Sequence, residues 1–207
     1  MRSLCKFLVL FSLIISLCSC SEKKEGFNPS KYVDPQIGSV HGRWFFYTPA
    51  ALPFGLAKLA PHTNAYGSGG SWAPGGYDDR HTSIEGFGHF HEFQIGGLVA
   101  MPITGVLQTI PGQLENPDGG YRSRFDKSSE HAEPGYYSVF LKDYGISAEL
   151  TATERVGFHR YTFPESNESR IIFDVGHRQG ESSGVTEATI RLSGKAELEG
   201  SIETLPE

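Results

Sequence analysis

Residues 76–97 hold a high density of side chains that can carry chemistry. Three histidines, four carboxylates and three phenylalanines fall within this stretch: His81, His89 and His91; Asp78, Asp79, Glu85 and Glu92; Phe87, Phe90 and Phe93. Titratable and aromatic side chains at this density are typical of a concave site for a polar ligand. The glycines among them predict a loop or an irregular strand, which is where binding residues usually lie.

His89 and His91 are the first candidates within this stretch. On an extended backbone, side chains two residues apart leave from the same face, so both imidazoles would reach one ligand. A metal site of the cupin type needs a carboxylate that can join the histidines, whereas Glu92 would point to the opposite face. We therefore predict no metal site in this chain. Hydrogen-bonded structural histidines are the alternative to a ligand-binding pair.

The first twenty residues have the layout of a secretion signal, with Arg2 and Lys6 ahead of an apolar run. The run ends in Leu-Cys-Ser-Cys, which resembles a bacterial lipoprotein cleavage box with Cys20 as the lipidated residue. We expect residues 1–20 to be a lipoprotein signal peptide and residues 21–30 a polar tether. The mature protein would then be exported and lipid-anchored to the cell envelope, at the outer membrane or in the periplasm, touching the membrane only through its anchor.

Charge and cysteine positions narrow the class of protein. The 207 residues carry a net charge of −6 and no basic run, which argues against nucleic acid as a partner. All three cysteines lie in the leader, so the folded part has no disulfide and depends on a hydrophobic core. Residues 31–207 are long enough for one such core.

From residue 135 onward the sequence alternates between apolar and polar side chains, as Ile146, Ala148 and Leu150 illustrate. This pattern predicts six short strands at residues 136–142, 146–153, 156–163, 170–175, 186–192 and 195–202. No segment sustains a helical period, so we predict an all-β fold, an antiparallel β-sandwich. His159, in the third of these strands, is expected to have a structural role within the sheet.

Two further expectations concern the N-terminal part of the folded region. Residues 31–39 read as an initial strand. Farther along, three prolines exclude a regular helix, and the apolar side chains between them are expected to pack inward: Leu52, Phe54, Leu56 and Leu59.

Five separated motifs together resemble one known family, and they occur in its order and spacing. They are YVDPQIG at 32–38, PAALPFGL at 49–56, LAPHT at 59–63, IEGFGHFH at 84–91 and MPITG at 101–105. The pattern is similar to the N-terminal domain of glycoside hydrolase family 92, the calcium-dependent exo-α-mannosidases common in glycan-degrading gut bacteria. The resemblance covers residues 32 to about 205.

The resemblance implies that this chain is one half of an enzyme that trims N-glycans. In the family, an N-terminal β-sandwich packs against a helical (α/α)6 domain, which supplies most of the calcium ligands and the general acid and base of an inverting hydrolysis. No carboxylate here matches either catalytic role, and serine-elbow and zinc-protease motifs are absent. We therefore assign no catalytic residue, expect calcium to bind outside this chain, and expect a glycan and a missing or separate helical catalytic domain as partners.

With the resemblance, six side chains become candidate substrate-binding residues: His89, His91, Trp72, Trp44, Asp78 and Asp79. The imidazoles would donate hydrogen bonds to sugar hydroxyls, and the indoles would be platforms for the apolar face of a pyranose. Core packing is an equal alternative for Trp44, whereas Trp72 lies in a glycine-rich loop and is expected to be exposed. For the two aspartates the alternative is a turn-stabilising role.

The histidine motif departs from the family pattern, which usually reads Gly-Phe-Ser-His-Thr-His-Leu-Ser-Gly. Gly88 and Phe90 stand where that pattern has hydroxyl side chains. We expect this change to alter or weaken the choice of sugar. Two other functions stay open: a surface lipoprotein that binds glycans without cleaving them, and a structural half-domain that exposes an apolar face without its partner.

Overall fold

A computed structural model describes residues 26–40, 46–65, 73, 75–91, 97–179 and 184–204. The chain divides into two compact units, Met1–Lys31 and Tyr32–Glu207. Of the first unit only residues 26–31 are described, and there the Asn28 side-chain oxygen accepts a hydrogen bond from the Ser30 amide at 3.1 Å. The predicted signal peptide, the first half of the tether and the lipidation site Cys20 lie outside the described residues.

Strands and short 3-10 helices make up the regular structure of the described residues. The strands are β1 Ala50–Ala51, β2 Lys58–His62, β3 Ser83–Ile84, β4 Gly86–Gly88, β5 Val99–Ile103, β6 Ser123–Arg124, β7 His131–Glu133, β8 Tyr136–Leu141, β9 Ile146–Ala152, β10 Gly157–Thr162, β11 Arg170–Asp174, β12 Val185–Leu192 and β13 Leu198–Thr204. The 3-10 helices are Pro29–Tyr32, Pro117–Gly119 and Lys127–Ser129. Every strand pairing is antiparallel, which confirms the predicted all-β class.

Two larger sheets form the body of the second unit. One has the order β1-β2-β4-β5-β11 and the other the order β10-β9-β8-β7. Strands β1 and β2 pack against β8 and β9, so the core lies between the sheets as in a sandwich. Strand β9 illustrates how the core forms on one face of a sheet. Its residues 146, 148, 150 and 152 are buried, whereas its hydroxyl side chains at 147 and 151 face solvent. Each fully buried large aliphatic side chain contributes roughly 1.5–3 kcal/mol.

All six predicted C-terminal strands are present, with small shifts at their ends. The largest shift concerns the last one, which begins at Leu198 because residues 193–197 form a turn closed by a hydrogen bond from the Ser193 amide to the Glu197 carbonyl. Strands β12 and β13 pair only with each other among the described strands, and most of their residues are exposed.

The predicted initial strand at residues 31–39 is wrong. A 3-10 helix ends at Tyr32 and turns follow it. The Asp34 side chain accepts a hydrogen bond from the Gln36 amide at 2.9 Å, and the Ser39 amide donates to the Gln36 carbonyl at 3.0 Å. Such local side-chain and backbone bonds satisfy the chain without a sheet partner.

The expected inward packing of the apolar residues around Pro53 is also wrong, except at Leu59, which is fully buried. Leu52, Phe54 and Leu56 are exposed because this segment is a tight turn in which the Gly55 amide donates to the Leu52 carbonyl at 3.0 Å. Phe54 has a φ of 63°, a left-handed conformation that is an outlier for a bulky residue.

Candidate functional site

A pocket of about 340 Å³ opens in the second unit, and polar side chains from several segments line it. They include Asn64 after β2, Glu85 between β3 and β4, Gln113 in the loop after β5, and Asp174 and His177 at and beyond the end of β11. Polar groups that converge from separate segments on one concavity are suited to a polar ligand.

A buried ion pair lies behind this pocket. Oxygen Oε2 of Glu85 is 3.9 Å from Nη1 of Arg122, whose side chain is fully buried. The guanidinium also donates to the Ser83 hydroxyl at 3.0 Å and to the Thr63 carbonyl, and Glu85 Oε1 accepts from the Ala65 amide at 2.7 Å. Burial lowers the pKa of Arg122, and the charge of Glu85 opposes that shift. The hydrogen bonds offset part of the desolvation that a buried pair costs.

His62 and His177 lie near the Glu85 carboxylate, His91 packs against His62, and we call His62, His91, His177 and Glu85 the buried histidine cluster. Nδ1 of His62 lies 2.9 Å from Nε2 of His177, which in turn lies 3.7 Å from Glu85 Oε1. The His91 ring packs edge-on against His62 with centroids 4.7 Å apart. Two imidazole nitrogens at hydrogen-bonding distance need one donor and one acceptor, so His62 and His177 cannot both be cations.

Burial controls the protonation of the cluster. It lowers the pKa of His91 to about 4, against opposing hydrogen bonds to the Gly75 and Gly88 backbone. It lowers the pKa of His62 well below the usual range, and the neighbouring His91 and His177 add to this shift. His62 and His91 are therefore neutral imidazoles at pH 7, and a neutral imidazole has one nitrogen lone pair for a proton donor or a metal ion.

Glycines make room for these rings. A Cβ atom at Gly88 would lie 2.5 Å from His62 Nε2, and one at Gly76 would lie 2.8 Å from His91 Nδ1. Gly76 also has a φ of 102°, which other residues rarely adopt. The glycines that mark the stretch as irregular are thus required by close approach to the imidazoles.

His89 has partners different from those of His91. Its Nε2 lies 2.7 Å from Nε2 of His159 on β10, the two rings stack at 4.9 Å, and His159 Nδ1 is 2.7 Å from the Tyr161 hydroxyl. We call His89 and His159 the sheet histidine pair, and the Tyr161 hydroxyl is its third hydrogen-bonding group. Burial, followed by the charge of His89, lowers the pKa of His159 to about 4. The expected common face for His89 and His91 is not found, because β4 ends at Gly88 and the backbone beyond it is not a strand.

The remaining predicted site residues are engaged locally or lie outside the described part. The Asp78 carboxylate accepts from the Arg80 amide at 2.9 Å and from its guanidinium at 2.6 Å, an arrangement that stabilises the turn. Burial raises the pKa of Asp78, but the bonds from Arg80 outweigh it and lower the pKa overall. Asp79 is 3.0 Å from Lys127 Nζ. Trp44 and Trp72 lie outside the described residues.

Sequence reasoning missed the residues that the fold brings to the pocket. His62 and His177 are 115 positions apart. His62 belongs to the motif at residues 59–63 but was not a site candidate, and His177 lies in none of the five motifs. In the sequence, Glu85 was only one of the four carboxylates within residues 76–97. Neither His89 nor His91 is among the described residues that line the pocket, but His91 contacts it indirectly through His62 and His177. Among the described residues, no helix has the length and apolar character needed to span a bilayer.

Comparison with known proteins gives a family match over almost the whole second unit. The family model described as "Glycosyl hydrolase family 92 N-terminal domain" matches residues 32–206. The family GH92 alpha-mannosidase BT3965 from Bacteroides thetaiotaomicron, solved in complex with mannoimidazole, is 32% identical with a TM-score of 0.76, over 84% of this chain and 23% of that one. A search of the curated proteins found no match.

Two other solved structures extend the comparison. The GH92 family glycosyl hydrolase ccman5 is 26% identical, with a TM-score of 0.66, over 86% of this chain and 24% of that one. The family GH92 inverting mannosidase BT2199 from Bacteroides thetaiotaomicron VPI-5482 shares the fold at 20% identity, with a TM-score of 0.65, over 86% of this chain and 22% of that one. The chain thus spans about a quarter of the length of these solved relatives.

Proposed function

Because the chain belongs to glycoside hydrolase family 92, as its N-terminal domain, we propose that it is the sugar-recognising β-sandwich of an exported α-mannosidase acting on N-glycans. The observation that carries this proposal is the polar pocket. Asn64, Gln113, Asp174 and His177 offer both donors and acceptors at its wall, which is what the hydroxyls of a saccharide require.

In this proposal the residues that line the pocket have roles different from those of the residues predicted from the sequence. Gln113 and Asp174 contact sugar hydroxyls directly. His91 supports His62, and His62 positions His177 at the pocket wall. Direct sugar contacts by His89, His91, Asp78 and Asp79, and stacking by Trp44 and Trp72, stay predictions.

The bond-breaking chemistry belongs to a different part of the enzyme. An inverting hydrolysis needs a carboxylic acid and a carboxylate on either side of the scissile bond with a water between them. We place these two groups, and the calcium ion, in a helical catalytic domain that acts as the partner of this one. We further infer export and lipid anchoring through Cys20 from the leader sequence.

Sugar binding and sugar release are measured separately to test this function. We expect the 207-residue chain to release no mannose from 4-nitrophenyl α-mannoside in the presence of calcium, and measurable release would contradict the assignment of catalysis to another domain. We expect saturation-transfer NMR to detect methyl α-mannoside on the chain. Gln113→Ala and Asp174→Asn should weaken that signal, whereas His131→Ala, on an exposed side chain, should leave it unchanged. Equal signals in all four proteins would rule out this pocket.

A further inference from the structure

The geometry points to a binding site for a divalent transition-metal ion of the zinc class, formed by His62, Glu85 and His177. The potential ligand atoms of these three side chains all lie within 4.8 Å of one another. The side chains belong to residues that are only 2%, 4% and 5% exposed. They come from three separate segments, which are β2, the link between β3 and β4, and the segment after β11.

The spacing of the donor atoms suits one small ion. Tetrahedral ligands at bond lengths of about 2.0–2.2 Å lie roughly 3.3–3.5 Å from one another. His62 Nδ1 and His177 Nε2 are 2.9 Å apart, and His177 Nε2 and Glu85 Oε1 are 3.7 Å apart, so the two separations bracket that value. Because all three donor atoms lie within 4.8 Å of one another, they reach one coordination sphere when the side chains move toward the ion.

The Glu85 carboxylate divides its two oxygens between the histidines and the buried cation. Oε1 is the oxygen near His177 and is oriented by the Ala65 amide, while Oε2 is the oxygen near Arg122. A carboxylate oxygen has two lone pairs, so Oε1 can bind an ion and still accept the amide hydrogen bond. Outer contacts of this kind, which orient a ligand, are typical of protein metal sites.

Two glycines leave the space that the His62 imidazole occupies. A side chain at Gly88 would collide with Nε2 of His62, and one at Gly76 would come within 3.1 Å of its Cδ2 atom. His91 packs against the same ring, so His62 is held in position from several sides. A ligand that is fixed in advance loses little conformational entropy when it binds an ion.

The pocket supplies the remaining coordination position. Glu85 and His177 both line it, so a water molecule or a ligand hydroxyl can reach the ion from solvent. Three protein ligands with one open position are the arrangement of catalytic rather than purely structural zinc sites. Asp174 and Arg178 line the same pocket, so the open position faces one further carboxylate and one guanidinium.

The donor set selects the class of metal. Two imidazole nitrogens and one carboxylate oxygen favour Zn²⁺ and its first-row neighbours, whereas Ca²⁺ takes six to eight oxygen ligands. This site is therefore different from the calcium site that we place in the helical domain. It also stands independently of the proposed sugar binding, since it follows from the three side chains alone.

Metal titration of the purified, tag-free chain after treatment with EDTA tests the site. Isothermal titration calorimetry should detect one tightly bound Zn²⁺ per chain and no comparable binding of Ca²⁺. Added Co²⁺ should give the visible absorption bands of a tetrahedral ion. The absence of stoichiometric Zn²⁺ binding, or a preference for Ca²⁺, would overturn the assignment and leave His62 and His177 as a hydrogen-bonded pair.

Variants locate the ion. Glu85→Gln, which can still accept the Ala65 hydrogen bond, and His177→Ala should each weaken Zn²⁺ binding at least about tenfold. His131→Ala, which removes an exposed imidazole near Glu133, should bind Zn²⁺ as the wild type does. Circular dichroism melting checks that each variant is folded. Wild-type affinity in both folded ligand variants would place the ion elsewhere.

X-ray absorption of the Zn²⁺-loaded wild type gives a result that does not depend on any variant. The zinc edge should show two imidazole ligands together with oxygen donors at about 2.0–2.2 Å. A shell of oxygen donors alone would overturn the site.

Discussion

The buried histidine cluster and the sheet histidine pair each contain one contact between two imidazoles, but the groups that surround this contact differ. In both, two imidazole nitrogens lie within hydrogen-bonding distance, at 2.9 Å for His62 and His177 and at 2.7 Å for His89 and His159. The cluster adds a carboxylate, a buried guanidinium and a pocket. The sheet pair adds a tyrosine hydroxyl. The two groups therefore make the same imidazole contact in different surroundings, and the neighbouring charges and the pocket are why we propose ligand binding for the cluster alone.

The largest expected effect comes from removing the carboxylate of the cluster. Glu85→Ala should lower the free energy of unfolding by about 3–5 kcal/mol, because Arg122 would remain charged and buried without its anion. Glu149→Ala is the matched control, since it breaks a pair with Arg160 whose guanidinium is mostly exposed, and it should cost about 0–1 kcal/mol. Urea unfolding in EDTA buffer measures both. Equal losses of unfolding free energy in the two variants would show that burial does not increase the contribution of the Glu85–Arg122 pair to stability.

An intermediate effect is the part of the acid-induced loss of stability that the sheet pair contributes. The pKa of His159 is about 4 in the folded protein and about 6.5 in an unfolded chain. As pH falls below about 6.5 the unfolded chain takes up a proton that folded His159 does not, so stability declines between pH 6.5 and 4. At pH 5 the contribution is roughly 1–2 kcal/mol, allowing for partial solvent screening.

His159→Gln should therefore reduce the pH dependence of the unfolding free energy between pH 7 and 5 without abolishing it, because the pKa values of His62 and His91 are also lowered in the folded protein. Urea unfolding at a series of pH values measures the slope. A variant that loses stability in acid as steeply as the wild type would show that His159 takes up its proton without unfolding.

The smallest expected effect tests whether the two groups are independent. Tyr161→Phe removes the hydroxyl next to His159 Nδ1 and should lower the free energy of unfolding by about 0.5–1.5 kcal/mol. Because this hydroxyl belongs to the sheet pair, the variant should bind Zn²⁺ with wild-type affinity in calorimetry. A change in Zn²⁺ affinity would mean that the cluster and the sheet pair form one network.

The regular sheets could be predicted from the sequence because one face of each strand is buried. Ile146, Ala148 and Leu150 had to share a face, and a period of two leaves no other way to bury them. The turn around Pro53 could not be predicted in the same way. Apolar composition suggested burial for Phe54, but a local turn decides where its side chain points, and that side chain is exposed.

The motifs were sufficient to identify the family, and period-two alternation was sufficient to predict the strand-rich class. Both are local properties of the chain. The site was decided only by tertiary structure. His62 meets Glu85 and His177 because β2, β4, β5 and β11 are successive neighbours in one sheet, which joins segments far apart in the sequence. No local sequence pattern predicts which distant side chains will be buried together, since that depends on how whole strands pair.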